Sequence, residues 1–274
     1  MTDLYAVIGN PIAHSKSPLI HSTFAARTDQ NMSYVTLLAP IDGFNHTVDA
    51  FRAGGGRGLN VTMPFKMEAF GYASEIGERA KLAGAVNALK FEGGHVMAEN
   101  FDGDGLVVDV ERNHEFSLRG RKVLLLGAGG AARGALKPIL DRAPNDVVIA
   151  NTTRAKADDL ARRFAAHGPV RVVDYADLGG EAPFDLVLNA TSASMTNVPP
   201  PVPAGAFAIG GFAYDLAYGR GLTPFLRLAA NAGVAHLADG VGMLVEQAAD
   251  AFNWWRGTRP ATKAMIAKLT VPLV

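Results

Sequence analysis

Hydrophobic and polar positions alternate in short blocks along almost the whole chain. Brief apolar runs predict buried strands, and the amphipathic stretches between them predict helices. This alternation is typical of α/β folds with a largely parallel sheet. In the first half, the pattern predicts strands at 4–8, 34–38, 59–62, 85–91 and 95–99, and helices at 18–27, 41–53 and 105–113.

Local signals set several of these boundaries. Ser17 is predicted to be the N-cap of the first helix, because Pro18 follows it at the first helical position. The glycines at 54–56 are expected to end the second helix. Gly93 and Gly94 separate two strand-like runs and therefore indicate a hairpin.

A second series of strands and helices begins at Lys122. Its predicted strands are 123–126, 147–150, 170–173, 186–188 and 208–209, and its predicted helices run to about 142 and over 156–166, 223–231, 242–255 and from about 260. The pattern indicates a doubly wound parallel sheet of the Rossmann type. The predicted architecture is an N-terminal α/β domain, residues 1–105 plus 241–274, with a Rossmann domain over 106–240.

Composition excludes several classes of function. The 274 residues include 26 Lys and Arg and 26 Asp and Glu, so the chain lacks the basic excess of proteins that bind nucleic acid or membrane surfaces. The absence of cysteine excludes disulfides, thiol nucleophiles and thiolate metal sites. No apolar stretch approaches the roughly 18 residues of a membrane span, and no signal-peptide pattern is present. We therefore expect a cytoplasmic protein that contacts neither membranes nor nucleic acids.

A glycine-rich turn follows the strand 123–126 and opens a predicted helix. Gly127 allows a tight turn, Gly129 lets the backbone approach a pyrophosphate, and Gly130 keeps the turn free of side chains. Ala132 occupies the third position of the dinucleotide fingerprint and can still pack closely on the sheet. The context favours dinucleotide binding, and the alternative is a purely structural turn.

The residues that follow the next predicted strand, 147–150, indicate which dinucleotide is bound. NAD sites usually carry an acid there for the ribose 2′-hydroxyl, whereas this chain has Asn151, Thr152, Thr153, Arg154 and Lys156. Hydroxyls and cations suit a 2′-phosphate, so NADP is favoured over NAD. The alternative is a solvated helix start. The later loop at 189–192 could contact the cofactor or be an ordinary turn.

Three further segments place polar groups at predicted strand ends. Ser15 and Ser17 lie beside a helix start and could hold a carboxylate, although capping alone would explain Ser17. Lys66 follows a strand closely enough to be held rigidly, although most lysines are simply surface residues. The acidic stretch 99–105 suggests a loop or a calcium site, but it lacks the ligand spacing of an EF-hand.

Taken together, these segments resemble the shikimate dehydrogenase family. The matching motifs occur in the family's order over nearly the whole chain, which makes the set far more specific than any one of them. They are 14–18 (HSKSP), 60–66 (NVTMPFK), 83–87 (AGAVN), 100–103 (NFDG), 127–130 (GAGG), 189–191 (NAT) and 239–247 (DGVGMLVEQ).

The resemblance implies an enzyme that reduces 3-dehydroshikimate to shikimate with NADPH in aromatic amino-acid biosynthesis, with a small-molecule substrate, no metal, and a monomeric or homodimeric chain. It implies Lys66 and Asp102 as the catalytic pair. The implied substrate contacts are Ser15, Ser17, Thr62, Asn87, Tyr218 and Gln247. The implied cofactor contacts are Gly127, Ala128, Gly129, Gly130, Ala131, Asn151, Thr152, Thr153, Arg154, Lys156, Ala190, Thr191, Ser192 and Gly240.

Two positions depart from the family pattern. Phe101 stands where the family often has threonine, and Thr152 stands where it often has arginine. The second departure bears on the strength of NADP preference, which then depends on Arg154 and Lys156. Three alternatives remain open: an enzyme that also oxidises quinate, a non-catalytic dinucleotide sensor, and a partner-binding protein that uses the tryptophans at 254–255.

Overall fold

The computed structural model describes residues 2–191, 198–219 and 221–273. The chain divides into two compact units. Unit 1 comprises 1–105 and 245–265, and unit 2 comprises 106–244 and 266–274. The sequence placed the second crossing at 240/241 and assigned the whole C-terminal segment to the first domain, whereas the last residues group with unit 2.

Unit 1 is built on a six-stranded sheet of order β2-β1-β3-β5-β6-β4. β1 pairs in parallel with β2 and β3, whereas β3, β5 and β6 are antiparallel neighbours. The strands and helices up to the first crossing are β1 (Asp3–Gly9), α1 (Ser17–Arg27), β2 (Met32–Leu38), α2 (Phe44–Ala53), β3 (Gly56–Val61), α3 (Lys66–Tyr72), β4 (Glu75–Ile76), α4 (Glu78–Ala83), β5 (Ala88–Glu92), β6 (His95–Glu99) and α5 (Asp102–Val108).

Both faces of this sheet are covered by apolar side chains. Along β1, alternate residues point to opposite faces, as strand geometry requires. Ala6 and Ile8 join the cluster formed with α2 and α3. Tyr5 and Val7 join a second cluster, which Trp255 completes. The sheet is therefore a rigid platform from which the loops at its strand ends project.

Unit 2 has a second six-stranded sheet, of order β12-β11-β10-β7-β8-β9, and every pair in it is parallel. This is the strand order of the doubly wound dinucleotide-binding fold. A π-helical turn at Asp109–Asn113 leads into it. Its elements are β7 (Lys122–Leu126), α6 (Gly130–Leu140), β8 (Asp146–Ala150), α7 (Arg154–Phe164), β9 (Val170–Val172), β10 (Phe184–Asn189), β11 (Phe207–Asp215), α8 (Pro224–Asn231) and β12 (His236–Asp239).

Two helices straddle the unit boundaries: α9 (Val241–Arg256) and α10 (Lys263–Leu269). Trp255 of α9 is 8% exposed and donates its indole N–H to the carbonyl of Leu89 at 3.0 Å. Its ring lies 4.9 Å from that of Tyr5. Trp255 therefore packs on the sheet of unit 1.

The sequence misplaced one cap and missed several short elements. Ser17 is the first helical residue of α1, and Lys16 is the N-cap, without a capping side-chain bond. The short α3, α4, β4 and β12 were not predicted. The glycine hairpin is confirmed, since Gly93 and Gly94 both have positive φ between paired β5 and β6. Among the described residues, no helix has both the length and the apolar character needed to cross a bilayer.

Candidate active site

Lys66 and Asp102 meet because two helices start beside each other on unit 1. α3 begins at Lys66 and α5 at Asp102, just beyond the ends of β3 and β6. Lys66 Nζ lies 2.5 Å from Asp102 Oδ2. The lysine side chain is 31% exposed and the aspartate 17%, so the pair is partly shielded yet reachable from solvent.

A buried asparagine connects this pair to the rest of unit 1. Asn87 is 3% exposed, and its Nδ2 donates to Asp102 Oδ1 at 2.8 Å and to Gln247 Oε1 at 3.3 Å. Its Oδ1 accepts the backbone N–H of Phe101 at 2.9 Å. The amide thus aims the carboxylate, whose other oxygen faces the ammonium of Lys66. The structure brings together four residues that the sequence assigned to catalysis or substrate binding.

The segment that leads to Ser15 and Ser17 is joined to the motif 60–66, which contains Lys66, through backbone hydrogen bonds. The N–H of Asn10 donates to the carbonyl of Met63 at 3.1 Å, and that of Thr62 donates to Ile8 at 3.0 Å. A Cβ at Gly9 would lie 2.6 Å from the methyl carbon of Thr62, so glycine is needed for this approach. Ser15 and Ser17 follow on the same segment.

Ser15 Oγ accepts the backbone N–H of Ser17 at 3.2 Å. Ser17 is 8% exposed. Each serine can turn a hydroxyl proton toward an anion, because a hydroxyl donor rotates freely. Hydroxyls of this kind suit a carboxylate, and that role for the two serines stays a prediction.

The sequence did not reveal the buried layer beneath these serines. The Tyr34 phenol donates to Asn60 Oδ1 at 2.6 Å, and burial raises its pKa well above the ordinary value while a hydrogen bond with Ser17 opposes that shift. His21 stacks on Tyr34 with ring centres 4.2 Å apart. Burial lowers the pKa of His21 to about 3, so its ring is neutral. Only the mixture of aromatic and amide residues in 17–34 and at position 60 hinted at such a layer.

The glycine turn of unit 2 has the shape that a pyrophosphate requires. Gly127 has φ +103° and lies so close to Ala190 that a Cβ would sit 3.1 Å from its carbonyl oxygen. Gly129 and Gly130 face open space. Gly129 is the N-cap of α6 with no side-chain cap, which leaves a helix start suited to an anion. Within the described residues, the buried Nε of Arg133 has no hydrogen-bond partner. These features fit a dinucleotide phosphate.

The residues expected at the adenosine end lie after β8, at the carboxyl edge of the same sheet. Arg154 starts α7, and its guanidinium donates to Asp158 at 2.9 Å and to Asp174 at 2.8 Å. The arginine is therefore already engaged by two carboxylates. Lys156 is exposed and forms no ion pair among the described residues. Asn151, Thr152 and Thr153 form the intervening turn.

Two side-chain networks shape the loops that follow β10 and β11. Asn189 Oδ1 accepts the hydroxyl of Thr191 at 2.7 Å, and its Nδ2 donates to Asp215 at 3.2 Å. Thr223 donates to the other oxygen of Asp215 at 2.6 Å. Asp215 was not singled out from the sequence, although an acid at a strand end was a usable signal. Ser192 lies outside the described residues.

The last two predicted residues of unit 2 lie after β11 and β12. The carboxylate of Asp239 accepts the N–H groups of Gly219 at 3.0 Å and Val241 at 3.1 Å. A Cβ at Gly240 would overlap the carbonyl of Leu216, so only glycine fits there. Tyr218, expected at the substrate, is 41% exposed.

The fold and chemistry of the two units define a class: nicotinamide-dependent oxidoreductases of α/β fold. Family models then specify the member. Residues 7–89 match the shikimate dehydrogenase substrate binding domain, 110–200 match shikimate / quinate 5-dehydrogenase, and 240–270 match the shikimate 5'-dehydrogenase C-terminal domain. The chain belongs to the shikimate dehydrogenase family.

Individual relatives agree over the full length. A shikimate dehydrogenase (NADP(+)) from Nitrosospira multiformis is 56% identical over 98% of both chains. The crystal structure of an Ael1 enzyme from Pseudomonas putida is 55% identical, with a TM-score of 0.95 over 100% of both chains. A shikimate 5-dehydrogenase from Thermus thermophilus, solved with NADP(H) and shikimate, is 30% identical, with a TM-score of 0.86 over 97% of this chain and 98% of that one. The predicted family and fold class are confirmed.

Proposed function

We propose that this protein catalyses the reversible, NADP-dependent reduction of 3-dehydroshikimate to shikimate in aromatic amino-acid biosynthesis. The observation that carries the proposal is the Lys66–Asp102 pair, held by Asn87 at 2.8 Å from the carboxylate. The full-length relative from Nitrosospira multiformis, named as a shikimate dehydrogenase (NADP(+)), supports the same reaction.

In this reaction Lys66 acts on the oxygen of the ring ketone. Bound NADPH supplies the hydride. The ammonium of Lys66 stabilises the negative charge that develops on that oxygen and delivers a proton to it. Asp102 holds the ammonium in place and accepts a hydrogen bond from a substrate hydroxyl. The position of the pair at two helix starts supports both roles.

Substrate recognition follows from the polar groups around this pair. Ser15 and Ser17 bind the carboxylate of the substrate, and Thr62, Asn87 and Gln247 contact its hydroxyls. Asn87 would then serve two purposes, because its amide also holds Asp102.

The cofactor is assigned to the carboxyl edge of the sheet in unit 2. The turn 127–131 receives the pyrophosphate, 190–192 and Gly240 line the groove, and 151–156 meets the 2′-phosphate. Of the two cations in that last segment, Lys156 forms no ion pair within the described part of the chain, whereas Arg154 is already bonded to Asp158 and Asp174.

The decisive assay follows absorbance at the nicotinamide band with purified protein. Shikimate and quinate are each combined with NADP and NAD. Highest kcat/KM with shikimate and NADP supports the proposal. A higher value with quinate assigns the chain to the broader quinate/shikimate activity. Tight NADPH binding without turnover of 3-dehydroshikimate identifies a sensor and ends the enzymatic proposal.

A variant of the central lysine tests its role directly. Lys66→Met removes the charge at similar length, so we expect kcat to fall by about two to four orders of magnitude, the range for a general acid–base group. Lys90→Met is the matched control, because Lys90 belongs to the same unit, has a carboxylate partner at 2.8 Å and is 26% exposed. Near-normal kcat in a folded Lys66→Met protein would remove the lysine from the mechanism.

A further inference from the structure

One arginine contacts three residues of the segment that carries Asp102. Arg79, on α4, donates from Nε to Glu99 Oε2 at 3.3 Å and from Nη1 to Asp104 Oδ2 at 3.0 Å. Its guanidinium carbon lies 4.9 Å from the centre of the Phe101 ring. We propose that Arg79 is a positioning residue for Asp102, an inference that rests on the proposed function.

The three contacts bracket Asp102 along the chain. Glu99 lies three residues before it, and Asp104 lies two residues after it on the first turn of α5. A shift of this helix start would therefore break at least one contact to Arg79. Asn100 tightens the bracket, because its N–H donates to Glu99 Oε2 at 3.1 Å and its Oδ1 accepts the N–H of Asp102 at 3.0 Å.

The third contact of Arg79 is with the ring of Phe101. The ring is 4% exposed and meets Trp254 edge-on, with ring centres 5.8 Å apart and planes at 64°. A guanidinium near one side of the ring and an indole near its edge restrict the phenyl group. Phe101 stands at the position where the family pattern often has threonine, and in this chain the ring is restrained by packing.

The two carboxylates in these contacts are more shielded from solvent than the arginine. The side chains of Glu99 and Asp104 are 15% and 29% exposed, and that of Arg79 is 44% exposed. Burial opposes ionisation of Arg79, but the two carboxylates outweigh it and raise its pKa, so the guanidinium stays charged. Gly77 lets the Glu99 carboxylate pack against the backbone, because a Cβ there would overlap Glu99 Oε1.

A double-mutant cycle separates positioning from a general structural role. Arg79→Gln is expected to lower kcat/KM for shikimate by about 5- to 20-fold, the combined effect of two partly exposed ion pairs and one cation–π contact. Arg79→Lys should recover part of that loss. In an Asp102→Asn background, Arg79→Gln should change kcat/KM by less than about two-fold, because the group that it positions is already gone.

Arg171→Gln serves as the control, since Arg171 also bridges two carboxylates, Asp146 and Glu181, but lies in unit 2. We expect it to leave kcat/KM unchanged in either background. If Arg79→Gln and Asp102→Asn have multiplicative effects, Arg79 acts on the fold in general and the proposal fails. Asp104→Asn, which removes a single contact, should show a smaller but equally coupled loss.

Amide hydrogen exchange tests the same idea without any activity. Arg79→Gln should accelerate exchange over 100–104 while leaving the amides of β3 unchanged. Unchanged exchange over 100–104 would overturn the proposal even if kcat/KM fell. If the unmodified protein turns over no shikimate, the proposed function fails, and exchange alone then decides whether Arg79 holds the Asp102 segment.

Discussion

Charge at the turn after β8 decides how the protein would tell NADP from NAD. Thr152 supplies only a hydroxyl there, and Arg154 is held by Asp158 and Asp174. A 2′-phosphate would share the guanidinium with these two carboxylates, which weaken its attraction for a further anion. Lys156 can meet the phosphate without breaking any ion pair that the described residues show.

We therefore expect Lys156→Gln to weaken NADP binding by about 10-fold, the effect of losing one charge-assisted hydrogen bond. Arg154→Gln should weaken it less. NAD affinity should not change in either variant, because NAD lacks the phosphate. Calorimetric dissociation constants for both dinucleotides measure these effects. A larger loss with Arg154→Gln would mean that the arginine, and not Lys156, is the main contact of the phosphate.

The neutral His21 makes the stability of unit 1 depend on pH. Its pKa is about 3 in the fold and 6.5 in an unfolded chain. Below pH 6.5 the unfolded chain binds a proton that the folded chain refuses, so stability is lost as the pH falls. Between pH 7 and pH 5 this loss amounts to about 2 kcal/mol.

His21→Gln should reduce this acid sensitivity, because glutamine does not titrate. Trp254 and Trp255 both belong to unit 1, so their fluorescence during urea unfolding reports on the right part of the molecule. His46→Gln is the control, since His46 is exposed on α2. Identical pH dependence of unfolding in His21→Gln and the unmodified protein would contradict the burial argument.

At the scale of elements, the glycine turn contains one glycine that the fold requires and another that the ligand requires. Gly127 requires glycine for its positive φ and its approach to Ala190, whereas Gly130 faces open space at the first position of α6. Gly127→Ala should therefore destabilise unit 2 by about 1–3 kcal/mol through backbone strain.

Gly130→Ala should leave the melting temperature unchanged or slightly higher, because alanine favours helix. It should nevertheless weaken NADP binding, since the methyl group occupies space left for the pyrophosphate. Thermal unfolding and equilibrium titration of the two variants test this contrast. Equal destabilisation by both substitutions would show that the whole turn is structural.

The elements that could be predicted from sequence are those with a full amphipathic or apolar pattern. β7 is a continuous apolar strand buried on both faces, and α6 spans three turns, so both gave strong signals. α3 and α4 have seven and six residues, too few for a helical period to stand out. Their positions come from tertiary packing, for example the buried Phe65 that precedes Lys66.

The candidate site could be predicted in its ligand-facing part only. Lys66, Asp102 and Asn87 stand in motifs at strand ends, and the structure brings all three together. Residues in the surrounding layer, such as Arg79 and Tyr34, lie outside those motifs. Their partners are distant in sequence, so no local spacing could reveal them.

At the scale of the whole molecule, each unit should respond to its own ligand. A ligand at 100 times its dissociation constant stabilises what it binds by about 2.7 kcal/mol. NADP alone should slow amide exchange most strongly in 127–134, and shikimate alone most strongly in 60–66. Exchange mass spectrometry with each ligand separately provides the measurement. If NADP protected 60–66 and not 127–134, the assignment of ligands to the two units would be wrong.

Because unit 2 interrupts unit 1 between Gly105 and Val245, the ribosome must synthesise roughly 140 residues before the last helix of unit 1 emerges. Ala251 and Trp255 of that helix complete the apolar cluster around Tyr5 and Val7. At typical translation rates, one apolar face of the nascent sheet therefore stays uncovered for on the order of 10 s. Residues 106–244 of unit 2 are synthesised during that interval, whereas its last residues, 266–274, follow the helix that completes unit 1.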